Sequence, residues 1–152
     1  VLLSGILLGK WYGGLSQSLY VGIGSLGMPW FANGKGGLTI IFGITGGYLI
    51  GFILAATVIG WFTERYIRVR TFSCLIPLIL LGIGLIYAVG ALQFSLIMRT
   101  RFSETMKLAV LPFIPADITK AVIVGFISRT ITTRYAYNGE IDRDKWKHWK
   151  LP

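Results

Sequence analysis

The sequence predicts an all-α fold, a helical bundle that crosses a membrane several times. Composition is the first reason: 54% of the 152 residues are hydrophobic and only 14% are charged, where soluble domains carry about 25% charged residues. Mean hydropathy is correspondingly high at +0.68. The second reason is that apolar runs recur along most of the chain, separated by short basic segments, and no period-two alternation of the kind a β-barrel needs is present. The third is the 20 glycines, well above the usual ~7%, because small residues let membrane helices approach closely.

A hydrocarbon core of about 30 Å needs roughly 20 mostly apolar residues per helix, and five spans are expected on that basis. The first is the remnant "VLLSGILLG" at 1–9, which begins inside an apolar run without an initiator methionine or a basic leader. It is read as a span whose N-terminal part is missing, not as a signal peptide. The second covers about 14–30, the third about 45–63, the fourth about 72–98 and the fifth about 114–135. The fourth is long enough to tilt. Residues 31–44 and 99–111 read as loops. Residues 1–137 therefore form the membrane domain. The tail from 138, "NGEIDRDKWKHWKLP", is polar and aromatic, either a short interfacial helix or disordered.

The net charge of +9 does not point to nucleic acid, because no recognised binding motif accompanies it. The basic residues instead fall by side. Lys10, the cluster Arg65, Arg68 and Arg70, and the basic C-terminal residues from Arg129 onward make ten on one side, against Lys35, Arg99, Arg101 and Lys107 on the other. The richer side is expected to be cytoplasmic, which leaves 31–44, 99–111 and the start of the last span facing outward. Cys74 is the only cysteine, so no intrachain disulfide or cysteine-based metal site can form, and it is expected to pack as a small hydrophobe. His148 stands alone in the tail and is read as a surface residue.

Asp117 and Lys120 lie in the oily run "FIPADITKAVIVGF" at 113–126. Three apart on a helix, they share one face in the favoured order, acid before base. Asp117 is the one acidic residue inside an expected span; Glu64 and Glu104 fall in expected loops. Ionisable groups inside spans are costly and usually face a cavity or the bundle interior. A structural reading stays open: Pro115 suits a first helical turn, Asp117 the helix dipole, and Lys120 can snorkel.

The stretch "GMPWFANGKGGLTIIFGITGGYLIGF" at 27–52 is the second candidate region. Gly34, Gly36 and Gly37 allow a tight loop whose backbone can approach a small molecule. Asn33 offers a donor and an acceptor suited to an amide or urea, and Trp30, Phe31 and Tyr48 can form apolar walls. The spacing of a phosphate-binding loop is absent. A bulged or re-entrant turn that only packs between helices is the alternative.

The blocks "GSLGMPWFANGKGG" and "GITGGYLIGF", followed by "PFIPADITKA", together resemble the BioY family, the biotin-binding S components of energy-coupling factor (ECF) vitamin transporters. The family pattern runs G-L-P-V-F-A-x-G-x-G-G, then G-P-T-G-G-Y-L-x-G-F, then F-x-P-G-D-x-x-K, in the same order and with similar spacing. The likeness extends to about residue 137. Met28 and Trp30 replace the usual Leu and Val around Pro29, Ile44 stands for a proline and Ala116 for a glycine; all of these departures are apolar. The family has six spans, which makes the first the one missing from this sequence.

The resemblance implies a membrane subunit that captures biotin from outside, works with a transmembrane T component and two cytoplasmic ATPases in a prokaryotic cell membrane, and does no catalysis and holds no cofactor or metal. It implies a site at Asn33, Asp117, Lys120 and the surrounding glycines. Chemistry extends this. A buried urea needs its N–H groups and carbonyl paired, so Asp117 is expected to accept a ureido N–H, and Lys120 to donate to the ureido carbonyl or the valerate carboxylate. Asn33 completes the polar set, and Trp30, Phe31, Tyr48 and Phe113 line the rest. Three other readings compete. They are an S component for another vitamin or a biotin precursor, a membrane enzyme using Asp117, which lacks any nucleophile–base constellation, and a channel or structural bundle, the channel lacking repeated pore-lining polar residues.

Overall fold

The computed structural model describes residues 1–66, 69 and 71–131. The tail from 138, the last expected span beyond Ile131, and Ile67, Arg68 and Arg70 of the basic segment lie outside the described residues. In chain order the elements are α1 (Leu2–Ser25), a 3-10 turn (Ala32–Gly34), α2 (Leu38–Ile41), α3 (Gly46–Arg65), α4 (Phe72–Met98), α5 (Phe102–Thr105), a π-helical turn (Met106–Val110) and α6 (Ile114–Ile131).

Helix α1 is two limbs, residues 2–8 and 10–25, folded back on each other at Gly9. That residue has φ 76° and ψ −172°, a region essentially reserved for glycine. Gln17 Nε2 donates to Ser4 Oγ at 3.0 Å, whereas 13 residues of continuous helix would separate them by about 20 Å. Gly13 lies against Gly5 and Ser4 where the limbs cross. The expected first and second spans thus form a hairpin with a one-residue turn.

Helix α3 packs between α1 and α4, and α6 packs on α4. Glycines set these contacts: Gly5 of α1 abuts Ala56, and Gly47 and Gly51 of α3 abut Val89 and Ile86 of α4. The main core joins Ile6, Ile59, Leu75, Ile79, Ile83 and Ala121 from all four long helices. A smaller cluster of Val21, Phe31 and Leu49 sits beside the glycine-rich loop. Because neighbours alternate in direction, one end of the bundle collects the end of α1, the starts of α3 and α6, and the end of α4.

The third and fourth expected spans coincide closely with α3 and α4. Several other expectations are corrected. Two helices, Gly46–Arg65 and Phe72–Met98, are long and apolar enough to cross a membrane, and a third crossing arises if the bent pair Ser103–Val110 and Ile114–Ser128 is one span. The hairpin limbs, residues 2–8 and 10–25, are shorter than a full crossing, so the described residues hold two or three helices able to cross by length and composition, where the sequence suggested a truncated first span and four further ones. The second expected span stops at Ser25, because Gly27 adopts φ 112° and Pro29 follows. The expected loop at 99–111 is mostly helical, with Thr105, Ala109 and Val110 buried. Glu64 is inside the last turn of α3 and not in a loop. Cys74 is exposed on α4, pointing away from the bundle core instead of packing in it.

Candidate functional site

The segment carrying Asp117 is a helix bent by 54°. Its first limb ends in a π turn, with Leu111 N–H bonded to Met106 O at 2.9 Å. Pro112 lacks an N–H and its ring crowds the preceding turn, so the helix cannot run on. It restarts at Ile114 with Pro115 in the first turn, where a missing N–H costs nothing. Asp117 N–H then donates to Phe113 O at 3.0 Å. The carboxylate falls in that first turn, where the helix dipole favours a negative charge.

Lys120 Nζ stands 2.9 Å from Asp117 Oδ1, so the pair predicted by the spacing is formed. Its members differ in environment: the Asp117 side chain is 21% exposed and that of Lys120 66%. The second carboxylate oxygen, Oδ2, accepts the Tyr87 hydroxyl of α4 at 2.6 Å. Tyr48 Oη donates to Ala109 O, also at 2.6 Å. Two tyrosines, one from α3 and one from α4, thus hold the bent segment on either side of its bend. Phe113, expected as a wall, sits at the bend and is exposed.

The glycine-rich loop is built at the same end. Phe31 and Lys35 pair across the turn, Phe31 N–H bonding Lys35 O at 3.0 Å. Asn33 at φ 61° and Gly34 at φ 66° make that reversal possible. Gly36 presses on Met28 O, and Gly37 N–H ties the loop to Gly24 O at 2.8 Å. Trp30 stacks on Tyr20 with centroids 5.4 Å apart and donates its indole N–H to Tyr20 O at 3.2 Å. The Tyr20 hydroxyl returns a bond to Trp30 O at 3.1 Å. Gln93 of α4 anchors the rest of the loop through two 2.7 Å bonds to Ile41 O and Gly43 O.

The expected site residues therefore form two groups at one end of the bundle. Trp30, Phe31, Gly34, Gly36 and Gly37 belong to the loop, clamped by Tyr20 and Gly24. Tyr48, Phe113, Asp117 and Lys120 gather at the bend. Asn33 is exposed in the loop, and its side chain bonds neither Asp117 nor Lys120. Sequence reasoning missed Tyr87, Tyr20 and Gln93. A signal existed for Tyr87 and Gln93: they are the lone tyrosine and lone amide of the α4 run, and such groups seek partners when desolvated.

Chemically, the bend presents an acceptor and a donor side by side, the Asp117 carboxylate and the Lys120 ammonium. An ionised carboxylate has about four lone-pair positions, of which Tyr87 and Lys120 occupy two. The arrangement suits a small polar guest that offers an N–H beside a carbonyl.

The profile described as "BioY family" matches residues 1–137. A probable biotin transporter BioY of Methanothermobacter thermautotrophicus is 42% identical over 157 aligned positions, covering 99% of this chain and 100% of that protein. The biotin transporter BioY of Thermotoga maritima is 38% identical, covering 84% of this chain and 73% of that one. Among solved structures, an S-component for biotin from an ECF-type ABC transporter superposes with a TM-score of 0.79 at 28% identity, over 92% of this chain and 74% of that chain.

Proposed function

The chain belongs to the BioY family, and on that premise we propose that it is the biotin-binding membrane subunit of a vitamin uptake transporter. The observation that carries the reading is the Asp117–Lys120 pair, formed at 2.9 Å at the end of the bundle that also holds the glycine-rich loop. The N–H and C=O of a cyclic urea lie side by side on one edge. A carboxylate beside an ammonium complements that edge, acceptor to N–H and donor to carbonyl, with both bonds charge-assisted. Asp117 accepts the ureido N–H and Lys120 donates to the ureido carbonyl. Asn33 reaches the ligand from the loop, and Trp30, Phe31, Tyr48 and Phe113 enclose its thioether ring and chain.

The Lys and Arg asymmetry supports an orientation in the cell membrane with this end outward, where vitamin is captured. The relatives are named as transporters, which favours binding and release over catalysis. The S-component likeness supports a T component and two ATPases as partners, which supply the energy for inward delivery.

The test is titration of the detergent-purified chain with biotin, with dethiobiotin and thiamin alongside. Saturable biotin binding and no thiamin binding are expected. Thiamin binding without a response to biotin would assign the chain to another vitamin, and turnover of any ligand would make it an enzyme.

A further inference from the structure

We infer that Tyr87 is a positioning residue for the binding site, setting the orientation in which Asp117 meets its ligand. The inference rests on the biotin reading above and adds a residue that none of the three sequence motifs contains.

The Tyr87 hydroxyl donates to Asp117 Oδ2 at 2.6 Å across 30 residues of sequence, within the range of short, charge-assisted O–H···O⁻ bonds. With Lys120 on Oδ1, each carboxylate oxygen has its own donor, so the plane of the carboxylate is fixed at both ends. The two donors are not equivalent. Lys120 is a long flexible side chain, 66% exposed, and its ammonium can follow the carboxylate through several rotamers. Tyr87 is half-buried on α4, with a ring that turns about few bonds, and α4 is packed into the core through Ile83 and Leu78. Of the two, Tyr87 is the fixed reference.

The backbone beneath is also held, because Tyr48 binds Ala109 O on the other side of the bend. The limb before the bend and the Asp117 carboxylate after it are thus held by separate tyrosines on separate helices. A binding group held in its productive geometry spares the ligand the cost of ordering it. Without the hydroxyl, the carboxylate follows Lys120 toward the exposed side, and the lone pairs that meet the ligand turn with it.

The experiment is a double-mutant cycle on the full purified chain: wild type, Tyr87→Phe, Asp117→Ala, which leaves the hydroxyl no side-chain acceptor, and the double variant, titrated with radiolabelled biotin up to millimolar concentration. Tyr87→Phe is expected to weaken binding about tenfold in the wild-type background and less than about twofold when Asp117 is already Ala. The same factor in both backgrounds, or no loss in the wild type, overturns the inference. Thermal unfolding with and without biotin provides a second readout if Asp117→Ala binds too weakly to titrate. A positioning role shrinks the biotin-induced rise in Tyr87→Phe. A lower ligand-free unfolding temperature with that rise preserved marks a merely structural tyrosine and overturns the inference. Failure of the wild type to bind biotin would instead bring down the transporter reading and this inference with it. Equal binding by wild type and Tyr87→Phe brings down the inference alone.

Discussion

Glu64, in the last turn of α3, accepts the backbone N–H of Lys10 at 2.9 Å and faces the Lys10 ammonium at 3.5 Å. The carboxylate thereby caps the second limb of the α1 hairpin at the point where the chain reverses. Gly9 touches the same carboxylate, and a Cβ there would collide with Glu64 Oε1. Gly9→Ala therefore meets strained dihedrals and a clash together, with a cost of about 1–3 kcal/mol for the dihedrals alone. Glu64→Ala removes a charged acceptor from a helix start and should cost about 1–2 kcal/mol. Both effects are read as lower unfolding temperatures in detergent.

Two glycines of the bundle should respond in opposite ways. A Cβ at Gly51 would stand 2.8 Å from Ile86 Cα, so any larger residue drives α3 from α4. Gly51→Val is expected to destabilise by about 1–3 kcal/mol, the usual cost of overpacking. Gly84 has no neighbouring atom within 4 Å of its would-be Cβ. Gly84→Ala should be neutral or stabilising by about 0.5 kcal/mol. Thermal unfolding of the two variants side by side checks the contrast.

These sites show what was legible in the sequence and what was not. Helices α3 and α4 were readable nearly to their ends, because a long apolar run has few alternatives once the bilayer sets the length. The Asp117–Lys120 pair was readable because its spacing is local to one helix. The hairpin at Gly9 was not, since its stabilising partner, Glu64, is 54 residues away and glycine alone does not announce a reversal. Residues 99–111 read as a loop from their charges, yet they are mostly helical and bury Thr105, Ala109 and Val110. Tyr87 escaped because its role appears only when α4 is laid against α6.

Tyr48 was expected as an apolar wall, and its hydroxyl gives it a second task. Tyr48→Phe keeps the ring against Gly90 but leaves the Ala109 carbonyl without its 2.6 Å donor. One lost hydrogen bond of this kind costs about 1 kcal/mol. The π turn before the bend should loosen, and biotin affinity should fall about three- to tenfold as the bent segment that carries Asp117 loses one of its two tyrosine tethers. Titration and thermal unfolding of the same preparation separate the two effects. An unchanged affinity would mean that the π turn holds its shape without α3.

Asp117→Asn and Lys120→Met should differ in size, and the difference follows from their surroundings. Asp117 is largely covered, with two donors already aimed at its oxygens. An Asn there places an N–H₂ opposite at least one of those donors and also loses the charge that strengthens the bond to a ligand N–H. Loss of a charged hydrogen bond plus the mismatch should weaken biotin binding about a hundredfold. Lys120 is mostly exposed, so water can replace part of what Met removes, and about tenfold is expected. Stability should move little with Lys120→Met, because exposed ion pairs contribute about 0–1 kcal/mol. The pattern of strong loss of binding at Asp117, weaker loss at Lys120 and near-constant unfolding temperature at Lys120 is specific to a pair that clasps a ligand. A pair that merely anchors the start of α6 would reverse it, with stability falling and affinity unchanged, and titration with calorimetric unfolding distinguishes the two.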